Sequence, residues 1–247
     1  MQNLDTVRIS GGGQRNLKPG FTLAEVLITL GIIGVVAAMT LPVLIQKNNN
    51  RVVETRLKKF YSSINQAILM AEKDYGDKKD WYDISLSGSE IDSDGNIVAG
   101  TSNQEKWFNK YLAPYMKVVK TKSLRDDGRF IVYFADGSAL SSSRGDHMQD
   151  LIFYPGDPDR CLKKYSRFGA LGKCAFMFFY SPNCNSYNCA YHYNKGPEPY
   201  KYAWDGNIKS LYKGLYSCGN SNSHYCTAII QLNGWKIPDD YPYKVSY

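Results

Sequence analysis

Between Phe21 and Ile45 every residue is uncharged except Glu25. A carboxylate inside such an apolar run is chemically expensive. At the centre of a membrane helix it costs about 2.5–3.5 kcal/mol on insertion scales, so it calls for a cationic partner. The other residues suited to chemistry lie far down the chain. Six cysteines, Cys161, Cys174, Cys184, Cys189, Cys218 and Cys226, all follow residue 160. An even number in an exported segment reads as a disulfide framework. Of the many pairings that six cysteines allow, the expectation is nearest neighbours: Cys161–Cys174, Cys184–Cys189 and Cys218–Cys226. Each would close a short loop at the rim of a sheet. Zinc is the rival, since Cys184, Cys189 and His192, or His224 and Cys226, offer soft ligands. Their spacing is not that of a zinc finger, and an oxidising compartment favours disulfides. A nucleophilic cysteine paired with His147, His192 or His224 has no local signature behind it. Asp92-Ser93-Asp94-Gly95-Asn96 begins like a calcium loop. Ile97 then stands where such a loop needs glycine, and Asn103 where it needs a bidentate glutamate, so a polar turn is the better reading. Asp157 and Asp159 are looser calcium candidates. No catalytic constellation emerges, so the chain reads as a non-enzyme. No cofactor is expected, calcium being the one ion left open.

The elements that hold these residues follow from periodicity. At about 1.5 Å per residue a helix over 21–45 reaches roughly 37 Å, longer than a bilayer core of about 30 Å. Arg15 and Lys18 precede it, which suits a cytoplasmic N-terminus. Lys47 and Arg51 follow it. Next, Val53, Leu57, Phe60, Tyr61, Ile64, Ala67, Ile68, Ala71 and Tyr75 recur at steps of three and four, the stripe of an amphipathic helix. Glu54 and Lys58 stand at i, i+4. Gly76 is the expected stop. Pro42 removes a backbone donor and should kink the helix. Residues 76–106 are turn-rich. Trp107–Val119 suggests a short helix broken at Pro114. Strands are expected over 129–134, 138–141, 173–180 and 225–232, with Asp136-Gly137 turning the first pair. The tail from Trp235 to Tyr247 should be irregular. The implied class is α+β: a long N-terminal helix, its second half packed on an antiparallel sheet, with a disulfide-stapled C-terminal region. The divisions are 1–20, 21–45, 46–75 and a globular 76–247.

Composition narrows the function. Apolar residues make up 43% of the 247, enough for a real core. The net charge of +7 is spread along the chain rather than gathered in a stripe, which argues against nucleic acid as a partner. The 20 tyrosines suit half-buried sheet positions, or else a sticky binding surface.

Gly20-Phe21-Thr22-Leu23-Ala24-Glu25, with Lys18 before it and the apolar run to Ile45 after it, resembles the class III signal of type IV pilins and type II secretion pseudopilins. Gly31, Gly34 and Pro42 also fall where that family's helix often has them. The resemblance implies a leader, residues 1–20, removed by a membrane-embedded aspartyl prepilin peptidase between Gly20 and Phe21. Gly20, lacking a side chain, lets a protease approach the backbone. The same enzyme would methylate the new amine of Phe21. Glu25 would then pair with the Phe21 amine of an adjacent subunit as helices bundle, and Gly31 and Gly34 would allow close helix approach. The implied partners are other pilin or pseudopilin subunits and an inner-membrane assembly platform. The implied location is the inner membrane, single-pass with a cytoplasmic N-terminus and the globular part periplasmic or extracellular. Pushing of secreted proteins, adhesion or motility, and DNA uptake compete as roles. An ordinary secretory signal cut near Ala37-Ala38-Met39, or a plain anchor, would leave Glu25 unexplained. The other classes considered are a membrane-anchored binding module that never polymerises and an exported enzyme with a metal or cysteine site.

Overall fold

The computed structural model describes residues 20–81, 88–124, 128–142 and 150–247. The chain divides into two compact units, 1–44 and 45–247. Helix α1, Leu23–Tyr75, belongs to both. Within the second unit α1 buries Val53, Leu57, Phe60, Ile64, Ala67, Ile68 and Ala71, the expected stripe. Tyr61 is half-buried and Tyr75 exposed. The helix ends before Gly76, whose φ of +82° is a left-handed conformation natural to glycine.

The stripe lies on a six-stranded antiparallel sheet in simple meander order. Its strands are β1 (Val118–Ser123), β2 (Phe130–Phe134), β3 (Ala139–Ser142), β4 (Asp150–Tyr154), β5 (Phe176–Phe179) and β6 (Glu198–Pro199). Asp136-Gly137 does turn β2 into β3, setting Val132 opposite Leu140. Phe60 joins the helix to the sheet. Its ring stacks on Phe153 at 4.2 Å and meets Phe178 edge-on at 5.1 Å. On the opposite face of β5, Phe179 meets His192 and Tyr200. Cover on both faces explains why β5 reads as an unbroken apolar run instead of alternating. β1 is an edge strand and carries Lys120 and Lys122, which discourage pairing with other strands.

Several expectations need correction. Residues 225–232 form a helix, α4 (Cys226–Leu232), not a strand. A short buried apolar run does not distinguish the two by pattern. Asn233-Gly234, which looked like the close of a strand, caps the helix: the N–H of Asn233 donates to Ile229 O at 3.0 Å, and that of Trp235 to Ile230 O at 2.8 Å. In 173–180 only Phe176–Phe179 is a strand, because 170–175 forms a tight turn joined to Ala170 O. The short helix begins earlier, as α2 (Asn103–Tyr111), because Ser102 and Glu105 make a capping box: Glu105 N–H donates to Ser102 Oγ at 3.1 Å. Pro114 sits in a separate 3-10 turn, Ala113–Tyr115. Glu54 bonds to the tail rather than along its own helix, taking Lys236 Nζ at 2.8 Å and the N–H of Ile237 at 3.0 Å.

The tail 235–247 has no regular structure but is firmly held. Besides Glu54, it is held by Gln46, which donates to Val245 O at 3.2 Å, and by Tyr241, which donates to Gly172 O at 2.8 Å. Gly172 has a φ of +77°, and a Cβ there would lie 2.5 Å from Cys226 Sγ, so the site demands glycine. The disulfides join Cys161 to Cys174, Cys184 to Cys189 and Cys218 to Cys226. The first ties α3 (Pro158–Lys164) to the turn before β5, and the third fixes the start of α4.

Candidate functional site

The first unit holds the N-terminal constellation. Gly20 and Phe21 precede the helix, and Phe21 is 90% exposed. Thr22 and Glu25 form a capping box. Glu25 Oε2 accepts the Thr22 N–H at 2.8 Å and the Thr22 hydroxyl at 2.8 Å. The Glu25 N–H donates to Thr22 Oγ1 at 3.2 Å. The carboxylate is thereby held at the N-terminal end of the helix, where the helix dipole favours negative charge. It lies within a helical turn of the Gly20–Phe21 bond.

Beyond Glu25 the helix exposes an apolar surface all round: Leu27, Leu30, Ile33, Val36, Leu41 and Leu44 are each more than half exposed. So continuous an apolar surface marks a membrane or protein-protein contact. Its polar side chains are satisfied within the helix. Thr29 Oγ1 donates to Glu25 O at 2.9 Å, and Thr40 Oγ1 to Val36 O at 3.0 Å. A Cβ at Gly31 or Gly34 would meet nothing within 4 Å, so each leaves an open notch on the surface. Pro42 lies inside α1, which continues through it. By length and composition α1 is able to cross a membrane, and a single N-terminal apolar helix fits a single-pass anchor.

In the second unit the other candidates have structural employment. Asp92 Oδ1 accepts the N–H groups of Asp94 (3.0 Å) and Asn96 (2.8 Å), making the polar turn. Those backbone donors, Asn96 foremost, hold its pKa below the usual carboxylate value. Asp157 caps α3 by accepting the Asp159 N–H at 2.9 Å. Cys184, Cys189 and Cys226 are in disulfides, which removes them as zinc ligands. His192 is buried, and its Nε2 accepts the Lys201 N–H at 3.2 Å. Burial, with Lys201 and Lys195 nearby, pushes its pKa down to about 3, so the ring stays neutral. His224 packs among Tyr200 and Tyr216. His147 lies outside the described residues, as do residues 1–19. Among the described residues no group of three or more metal-ligating side chains converges.

A groove of about 300 Å³ runs between α1 and the β2–β3 hairpin, floored by Phe60, Phe134 and Phe153. Lys59 at its rim is paired with Asp136 at 2.8 Å, and Arg56 donates to Pro155 O. Sequence reasoning overlooked a buried polar cluster built from Glu198, Lys201 and Gln231. Its only signal was two opposite charges three residues apart in the aromatic stretch from Tyr191 to Trp204.

Two family models match, and they meet near the junction of the two units. The prokaryotic N-terminal methylation motif covers residues 15–41, and a family of unknown function (DUF6613) covers 43–245. No curated protein and no solved structure matches the chain. The methylation motif implies processing by a prepilin peptidase and assembly with other pilin subunits in general, and it marks structural precursors rather than an enzyme family. The chain thus belongs to the family DUF6613 and is a pilin-like precursor bearing the prokaryotic N-terminal methylation motif.

Proposed function

We propose that this protein is a structural subunit of a type IV pilus-like filament or a type II secretion pseudopilus. Its leader, residues 1–20, is removed between Gly20 and Phe21, and the freed Phe21 amine is methylated. Residues 21–45 hold the subunit in the inner membrane with the N-terminus cytoplasmic, then become the core of the filament. Residues 46–75 continue as the amphipathic half that carries the globular domain outside. The observation that carries this reading is the capping-box carboxylate of Glu25, held one turn from the cleavage point on a helix whose stretch to Ile45 carries no other charge and is largely exposed. In a bundle of such helices, the amine of a neighbouring Phe21 relieves the cost of that charge, and the pairing fixes stagger as well as affinity. Gly31 and Gly34 supply notches for close helix approach. Pro42 removes one backbone hydrogen bond and loosens the helix where the apolar half gives way to the amphipathic half.

Filament recovery tests the reading. Cells making the full chain with its own assembly apparatus should yield the protein in sheared or overproduced filaments. Protein found wholly as dispersed membrane monomers, with assembly of the other subunits intact, would favour an anchored binding module instead.

A further inference from the structure

We propose that Lys201 and Gln231 become covalently joined by an intramolecular isopeptide bond, with Glu198 as the proton carrier. The three side chains form a line of hydrogen bonds in the globular unit, with Lys201 and Glu198 buried and Gln231 half-buried. Lys201 Nζ donates to Gln231 Oε1 at 2.6 Å and to the Tyr191 hydroxyl at 2.7 Å. Gln231 Nε2 donates to Glu198 Oε2 at 3.1 Å. The other Glu198 oxygen accepts the Tyr61 hydroxyl at 2.7 Å, and burial together with the nearby Glu198 charge pushes the Tyr191 pKa up. The primary amide of Gln231 thus touches both an amine and a carboxylate, and the Tyr191 phenol touches the amine.

The surroundings favour reaction over mere storage of charge. Lys201 is 1% exposed and Glu198 8%. The Lys201 ammonium position lies over the Tyr191 ring at 4.2 Å and near Trp204 at 5.4 Å. Burial pushes the Lys201 pKa down to about 8. Roughly a tenth of the population then carries a nucleophilic amine at pH 7. The partners are held in contact, which converts a slow bimolecular aminolysis into an intramolecular one.

The step balances without an added reagent. Neutral Lys201 Nζ attacks Gln231 Cδ, and the carbonyl pair moves onto Oε1. A proton passes from Nζ to Glu198 by way of the Tyr191 hydroxyl. Glu198 gives a proton to Nε2, which it already touches. The Oε1 pair then re-forms the carbonyl as the Cδ–Nε2 bond breaks with its electron pair on nitrogen, and ammonia departs. An amine and a primary amide become a secondary amide and ammonia, with nothing oxidised or reduced. The bond would tie the segment after β6 to α4, closing a loop of 30 residues beside the three disulfides. This inference does not depend on filament assembly.

Intact mass of the full chain in detergent, after reduction of the disulfides, tests it. The expected mass is that of the sequence less one ammonia, with a branched peptide linking Lys201 to Gln231 in the digest. Asn233-Gly234 is able to lose the same ammonia by succinimide formation, so the branched peptide is the deciding species. Glu198→Gln keeps the shape and hydrogen-bonding capacity of the side chain, and should leave Lys201 and Gln231 in separate peptides. Wild-type protein of full mass with the two residues unlinked, or ammonia loss located at Asn233, would overturn the proposal. Cross-linked Glu198→Gln protein would overturn the role of Glu198. The wild-type measurement stands whether or not the variant folds.

Discussion

Glu25 has two possible employments, and substitutions separate them. Within its own chain it caps the helix through Thr22, with two contacts of 2.8 Å. Between chains it is proposed to neutralise the Phe21 amine of a neighbour. Thr22→Ala removes the hydroxyl of the cap and keeps the charge. Losing an N-cap costs about 1 kcal/mol, which is about fivefold in incorporation. Glu25→Gln keeps an amide oxygen for the Thr22 N–H but removes the charge. A neighbouring ammonium then sits in an apolar core without a counter-charge, at a cost of about 2.5–3.5 kcal/mol. At about 1.4 kcal/mol per decade, incorporation should fall about a hundredfold. The assay is competition: tagged variant and untagged wild-type chains are co-expressed, and their ratio in sheared filaments is measured by quantitative mass spectrometry against their ratio in the membrane. If Glu25→Gln enters filaments as well as Thr22→Ala, the intersubunit ion pair is refuted and capping alone explains the residue.

Three further outcomes follow from the globular unit. Phe60→Ala, which removes the ring stacked on Phe153, should cost about 3–5 kcal/mol in urea unfolding, whereas Leu69→Ala at a 66% exposed position on the same helix should change stability by less than about 0.5 kcal/mol. Equal effects would mean that this face of α1 does not carry the packing. His192 is held neutral down to about pH 3, so the unfolded chain binds a proton that the folded one refuses, and stability should fall as the pH drops below about 6.5 by up to about 1.4 kcal/mol per unit. His192→Gln should flatten that slope, and an unchanged slope would place the titration elsewhere. Replacing Cys161 and Cys174 together by alanine opens a link spanning 13 residues and should cost about 3 kcal/mol in the same unfolding measurement. No loss would mean that the loop is already fixed by its other contacts.

Legibility in the sequence followed the reach of each interaction. The buried stripe from Val53 to Ala71 was legible because helical periodicity records which face is covered. The β2–β3 hairpin was legible because Asp136-Gly137 is a local turn signal. Residues 225–232 were misread because Thr227, Ile229 and Ile230 favour strands locally, while the cap at Asn233-Gly234 and packing on β5 make a helix. β1 went unseen because an exposed edge strand with Lys120 and Lys122 carries little apolar signal. At the N-terminus, Glu25 was conspicuous because its neighbours are all uncharged, but its capping bond to Thr22 was passed over although Thr-x-x-Glu is a local pattern. The cluster of Glu198, Lys201 and Gln231 was hidden for a different reason. Gln231 is 30 residues from Lys201, and Tyr61 is 137 from Glu198, so only the fold brings them together.

The proposed cut between Gly20 and Phe21 frees an amine for assembly. Mass spectrometry of the N-terminal peptide, from protein made in cells that hold a prepilin peptidase, tests it most directly. The expected product is a mature chain that begins at N-methylated Phe21 and retains Glu25 and the whole apolar helix. A chain that keeps Met1, or one that begins after Ala38 with the helix removed, would contradict it.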